Sequence, residues 1–268
     1  MIDNKFYDRE AIHWWSGEDS PLMLIRYTMN PLRLQYVFDH LGEEYLSTEG
    51  LHVLDIGCGG GFLTEEIAKY GLKPVGIDPS SPSLDQARKH AAELQLQIEY
   101  LEGVGESLPF RDNSFDIVFC CDVLEHVNDY EKVLDEVTRV LKPWGWFFFE
   151  TVNRTLFSFF VVIFLLQECE FTSIIPRNIH CWESFIKPEE LEHALFRRGY
   201  QIKEIVGILP GWNFLYHILL LRRKVKRKIS YKDLCKLFRC HTTKYKGLCY
   251  IGCATKAGII KKENKCFS

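Results

Sequence analysis

Asp122, Glu125 and His126 stand at i, i+3 and i+4 in the stretch CDVLEHV. At a helix start that spacing puts all three side chains on one face. Two carboxylates and an imidazole can hold a hard divalent cation, and the imidazole alone can accept a proton near neutral pH. The competing reading is a helix N-terminus decorated with acids, which the helix dipole favours. A second group of residues could hold a ligand. In VLDIGCGGGF, residues 53–62, apolar positions around Asp55 run into Gly57, Gly59, Gly60 and Gly61, broken by Cys58. Such a cluster lets a bound molecule approach the main chain more closely than a Cβ allows, or it only closes a tight turn. Asp78 follows 21 residues after Gly57, where a carboxylate can take both hydroxyls of a ribose.

These side chains need elements to position them, and residues 52–150 alternate strand and helix signals. HVLDIG, KPVGIDP, QIEYLEG, FDIVFCCD and GWFFFET read as five strands, the last following a turn at Pro143 to Gly145. FLTEEIAKYG, SPSLDQARKHAAELQ and YEKVLDEVTRVLK read as the helices between them. That alternation predicts an α/β fold, a doubly wound parallel sheet with right-handed crossovers. Ligands bind such sheets at the carboxyl ends of the strands, where the glycine loop and Asp78 lie. The dinucleotide fingerprint G-x-G-x-x-G fails because position 62 is Phe62. A cofactor with ribose and adenine but no pyrophosphate fits better.

The 268 residues carry 47% apolar and 26% charged residues, ordinary for a globular chain. A net charge of −3 argues against a general nucleic-acid surface, so no nucleic-acid partner is expected. The first thirty residues hold acids, His13 and two Trp rather than an apolar run, so no signal peptide is expected. Ten Cys then read as reduced thiols of a cytosolic compartment. Cys235, Cys240, His241, Cys249 and Cys253 lack the paired C-x-x-C frame of a zinc site.

VLDIGCGGG, the acid in GIDPS, ESLPF and FDIVFCCDVLEHV together resemble a class I S-adenosylmethionine-dependent methyltransferase. NPLRLQYV, TVNRT, HCWESFIKPEEL and the FYDREAIHWW opening resemble the ubiquinone-biosynthesis O-methyltransferase family more specifically. The resemblance covers residues 5 to about 208, with a last strand at 248–255. It implies a Rossmann-like, mostly parallel sheet with an antiparallel last strand and a lid or insert region. The implied cofactor is S-adenosyl-L-methionine, held by Arg33, Asp55, Gly57, Gly59, Asp78, Glu106 and Cys121. Arg33 would clamp the cofactor's carboxylate, as a guanidinium can. The resemblance also assigns Asp122, Glu125 and His126 to Mg2+, with His126 and Glu125 catalytic. The implied reaction methylates a phenolic hydroxyl of a polyprenylated dihydroxy aromatic substrate, in the company of other quinone-biosynthesis proteins. A methyltransferase for another small-molecule or lipid acceptor, or a non-catalytic cofactor-binding fold at a membrane, are the alternatives.

Along the chain, a helical N-terminal cap (1–50), a cofactor-binding core (51–152), an apolar insert and lid (153–200) and C-terminal strands (201–268) form one domain on this reading. LFSFFVVIFLL, Leu156 to Leu166, is too short to span a bilayer, which takes ~20 residues. Farther on, GWNFLYHILLLRRKVKRK joins apolar residues to six cations within Arg222 to Lys228. That composition suits an interfacial helix on anionic lipid, so the chain is expected in the cytoplasm, peripherally held at the inner face of the membrane. The basic insert 209–246 has no counterpart in the family pattern.

Overall fold

HVLDI forms β1 (His52–Ile56), buried from Val53 onward as befits a strand covered on both faces. β2 (Lys73–Asp78), β3 (Glu99–Glu102), β4 (Phe115–Cys121) and β5 (Leu141–Val152) lie parallel to it. β6 (Tyr200–Pro210), β7 (Cys240–Thr243) and β8 (Cys249–Lys256) complete one sheet in the order β3-β2-β1-β4-β5-β8-β6-β7. β8 runs antiparallel to both β5 and β6, and β7 runs antiparallel to β6. The parallel sheet is therefore as the alternation of elements predicts, and the antiparallel last strand as the resemblance implies. The computed structural model describes residue 3 and residues 5–17, 19–46, 50–211 and 213–258.

The crossovers follow from amphipathic spacing. α7 (Tyr130–Val140) begins where the Asp129 carboxylate accepts from the Lys132 N–H at 3.3 Å, and buries Val133, Leu134, Val137 and Val140. These pack with α9 (Pro188–Arg197) on one face of the sheet, against Leu54, Val118, Phe147 and Phe149. On the other face α4 (Asn30–Leu46) and α5 (Phe62–Lys69) set Tyr36, Val37, Leu63 and Ile67 against Val53, Phe119 and Phe148. α6 (Ser81–Glu93) starts at Ser80, whose hydroxyl accepts from the Ser83 N–H at 3.3 Å, and buries Leu84, Ala87 and Ala91. The turn expected at Pro143–Gly145 is a bulge inside β5: pairing with β4 slips between Phe115 and Ile117, and Trp144 takes φ 66°.

Three short helices, α1 (Lys5–Glu10), α2 (His13–Ser16) and α3 (Leu22–Leu24), precede α4. After β5 come α8 (Leu156–Ser158) and a wider π-helical stretch, Phe159–Glu168. The basic insert folds into α10 (Phe214–Val225), α11 (Tyr231–Leu237) and the edge strand β7. Leu220, Leu221 and Leu234 of this insert join a core with Trp14, Leu22 and Phe62. Lys224 is buried, pairs with Asp19 at 2.9 Å and sits 4.2 Å from the Tyr231 ring. It is thus unavailable to a lipid surface, whereas Arg222, Arg223, Lys226, Arg227 and Lys228 are exposed. Trp212, at the start of the same stretch, lies outside the described residues.

Candidate active site

At the carboxyl ends of β1, β2 and β4 the structure encloses a cavity of about 350 Å³. Its wall brings together Arg33, Asp55, Gly57, Gly59, Asp78, Glu106, Cys121, Asp122 and His126, residues spread over nearly a hundred positions of sequence. Of the candidate residues, Glu125 alone is off the wall, buried behind it.

The glycine loop is shaped as much by the protein as by any ligand. Gly57 takes φ +71°, and a Cβ there would fall 2.3 Å from Val123 Cγ2. At Gly60 the neighbour is the indole of Trp14: a Cβ would lie 2.3 Å from Trp14 Cγ. The two Trp of the N-terminal opening latch onto this loop and α6. Trp14 Nε1 donates to Ser83 Oγ at 2.9 Å and Trp15 Nε1 donates to the Gly60 carbonyl at 2.8 Å. The residues that close the cavity over the loop, Tyr7 and Trp14, were not among the predicted site residues. The signal was present, since HWW is an unusual density of large donors so near a helix start.

Asp78 accepts from the Gly59 N–H and the Ser80 N–H, both at 2.8 Å, so one carboxylate braces the loop after β1 and the turn after β2. Burial pushes its carboxyl above the usual range. Asp55 accepts from Thr64 Oγ1 at 2.6 Å in the first turn of α5, and burial pushes it up to about 7. Glu106 accepts from the Asn128 N–H at 3.2 Å. Cys121 ends β4, with its thiol held protonated by burial.

Arg33 lines the cavity, but its guanidinium serves the protein's own acids. It donates from Nε to Glu150 and from Nη2 to Asp122, and Nη1 reaches Asn30 Oδ1 at 3.0 Å. Glu150, at 1% exposure, was not singled out in sequence because an acid inside an apolar strand gives no periodic signal. Arg33, expected as a clamp for the cofactor's carboxylate, is thus at the cavity wall and at the same time the counter-ion of a buried acid cluster.

The expected metal triad is also corrected. Residues 122–128 form turns rather than a helix start, with Asp122 in the left-handed region at φ 56°. The three side chains therefore diverge: Asp122 goes to Arg33, and Glu125 Oε2 accepts from Thr151 Oγ1 at 2.8 Å. Among the described residues no three His, Cys, Asp or Glu side chains gather as a metal-ion site, so the donor set does not fit Mg2+ and no step is routed through it. Burial, aided by Asp122, pushes the Glu125 carboxyl above its usual range. Burial pushes His126 down to about 4, so its imidazole is neutral at neutral pH. Tyr7 meets the His126 ring edge-on at 6.3 Å, and the His180 ring lies 5.2 Å from it.

A doubly wound sheet with an antiparallel end, and a glycine loop facing an acid at the end of β2, define a class I S-adenosylmethionine-dependent methyltransferase. Residues 54–149 match the methyltransferase domain family. A magnesium protoporphyrin IX methyltransferase from Synechocystis aligns with TM-score 0.63 at 17% identity, covering 95% of each chain. A methyltransferase from Thermotoga maritima, titled a possible histamine N-methyltransferase, aligns at 0.58 with 22% identity over 94% of this chain and 97% of its own. The chain belongs to the ubiquinone biosynthesis O-methyltransferase family. It is 36% identical over 207 residues to the member from Coxiella burnetii, covering 76% of this chain and 83% of that one. The member from Rhizobium johnstonii is 35% identical over 74% of this chain and 81% of its own. The cofactor is S-adenosylmethionine and the protein is an enzyme.

Proposed function

We propose that the chain methylates a phenolic hydroxyl of a polyprenylated dihydroxy aromatic quinone precursor. The observation that carries this reading is His126, a neutral imidazole on the wall of the cofactor cavity at the end of β4. The acceptor's O–H gives its proton to the imidazole while an oxygen lone pair attacks the methyl carbon. The carbon–sulfur bond breaks with its electron pair going to sulfur, leaving S-adenosylhomocysteine, the methyl ether and an imidazolium that returns its proton to solvent. A phenol titrates near ~10, far above this imidazole. The proton therefore leaves as the O–C bond forms, not in a separate earlier step. Asp78, Gly57 and Gly59 take the ribose end of the cofactor, Glu106 the adenine side, and Arg33, Asp55 and Cys121 the methionine end and floor. Glu125 supports the turn that carries His126. Tyr7 and Trp14 keep water away from the sulfonium.

Incubating the protein with S-adenosylmethionine and a prenylated catechol tests this directly. One methyl ether per cofactor consumed is expected, and turnover is expected to persist in excess chelator. No product from the catechol with cofactor bound would transfer the reading to another acceptor. Loss of turnover restored by magnesium would show that Asp122 and Glu125 rearrange around a cation.

The acceptor's lipid tail agrees with exposed Leu156, Phe157, Phe159, Phe160 and Phe164, and with Phe214, Leu215 and Leu219 of α10. No helix among the described residues is long and apolar enough to cross a membrane. We read these surfaces as a peripheral attachment to the cytoplasmic face of an anionic membrane. In vesicle co-sedimentation, reversing the five exposed cations of 222–228 to Glu is expected to abolish the preference for anionic lipid, worth roughly 1 kcal/mol per cation. Replacing Phe157, Phe159 and Phe160 by Ser is expected to weaken binding to neutral vesicles, with little salt dependence. Wild-type protein left in the supernatant with both lipids would overturn the attachment.

A further inference from the structure

His180, in the HCWESF stretch, is a buried-edge imidazole that the reaction described above does not use. Its ring lies 5.2 Å from that of His126, inclined by 45°, and 6.1 Å from Phe185 at 67°. Its Nδ1 is buried without a hydrogen-bond partner among the described residues. Buried polar atoms are rarely left so, and a ligand oxygen is one of the few partners that would explain this one. Burial, followed by the neighbouring His126, pushes the imidazole down to about 3, so it stays neutral and offers one donor and one acceptor nitrogen.

The placement of this ring is determined from a distance. Gln167, at 4% exposure, is the buried polar side chain of the apolar stretch Phe159–Glu168. Its Oε1 accepts from the His180 N–H at 2.9 Å and its Nε2 donates to the His180 carbonyl at 3.3 Å. Both ends of one side-chain amide thus engage the backbone of one residue, on either side of the Cα that carries the imidazole. Tyr7 and His126 line the cofactor cavity, His180 packs against the His126 ring, and Gln167 ties His180 to the stretch whose Phe159, Phe160 and Phe164 are exposed.

We propose that His180 is a second acceptor-binding residue, holding the neighbouring hydroxyl of a dihydroxy aromatic ring while His126 receives the proton of the methylated one, and that Gln167 positions it. The inference rests on the phenolic-acceptor reading. A vicinal diol needs two fixed polar partners to present one oxygen in line with the methyl group, and a single histidine would let the ring rotate. The apolar stretch then has a second duty, because the segment that lies beside the acceptor's tail also aligns its head.

Two measurements test this. In protein labelled with 15N-histidine and saturated with S-adenosylhomocysteine, titrating catechol should shift the His180 ring resonances, assigned through His180→Gln, together with those of His126. Unmoved His180 resonances while His126 responds would overturn the inference and leave the proposed reaction intact. In turnover, His180→Ala should lower kcat/KM for the catechol at least about tenfold, with S-adenosylhomocysteine affinity unchanged, and His180→Gln should recover part of it. Gln167→Leu should raise the acceptor KM more than it lowers kcat. Equal loss for a monohydroxy phenol and a catechol in His180→Ala would also overturn it, because a monophenol has no second hydroxyl to lose. If the wild type binds cofactor but methylates neither, the function reading fails instead.

Discussion

Replacing Arg33 by Met is expected to destabilise the fold by about 3–5 kcal/mol, the cost of leaving buried charge unpaired. Arg33 is 4% exposed and bonds both Glu150 and Asp122, and the charges of these two acids reach the buried Glu125. Without the guanidinium the fully buried Glu150 can enter the fold only as a neutral carboxyl. The folded-state titration of Glu150, already raised by burial to about 7 against the pull of Arg33, then lies still further above its unfolded value of ~4.3. A carboxyl raised in this way contributes stability that is fully present below its unfolded pKa and is lost as pH rises through its folded one. The deficit of the variant must therefore grow from pH 6 to pH 8, which urea denaturation at the two pH values measures. Arg33→Met combined with Glu150→Gln should recover part of the loss, since one of the stranded acids is gone. A deficit independent of pH and unrelieved by Glu150→Gln would mean that Arg33 acts mainly by packing.

Asp78→Ala is expected to lower affinity for S-adenosylhomocysteine by at least about tenfold, with hydrogen bonds to a charged acceptor worth ~1.5–3 kcal/mol. Two routes lead to the same loss. The carboxylate is the proposed ribose partner, and it also accepts from the Gly59 and Ser80 N–H groups that shape the loop. The routes separate on comparison with adenine alone. If Asp78 only braced the loop, adenine and the full cofactor would lose affinity in parallel. If it also holds the ribose, the full cofactor loses more. Calorimetry on folded Asp78→Ala reads both, and undiminished affinity for S-adenosylhomocysteine would remove Asp78 from the site.

The order of strand and helix from β1 to β5 was legible because each element is short, strongly patterned and punctuated by Gly or Pro, so local spacing alone identifies it. The same locality made Gly57 and Asp78 legible, since each ends a strand on the ligand side of a parallel sheet. The antiparallel last strand came instead with the family resemblance. What the spacing of Asp122, Glu125 and His126 could not reveal is that Asp122 turns left-handed at φ 56° and sends the three side chains to different partners. An i, i+3, i+4 pattern carries a direction only if the backbone is helical, and the pull of Arg33 and Glu150, distant in sequence, competes with that helix here. The guanidinium's duty as counter-ion, the Trp14 ring over Gly60, Lys224 withdrawn to Asp19 and the Gln167 clamp on His180 share this character. Each joins residues that are not neighbours in the chain, 13 positions apart for Gln167 and His180 and far more for the others. Such partners of buried charge and polar atoms are chosen by the packed fold, not by the residues alongside them.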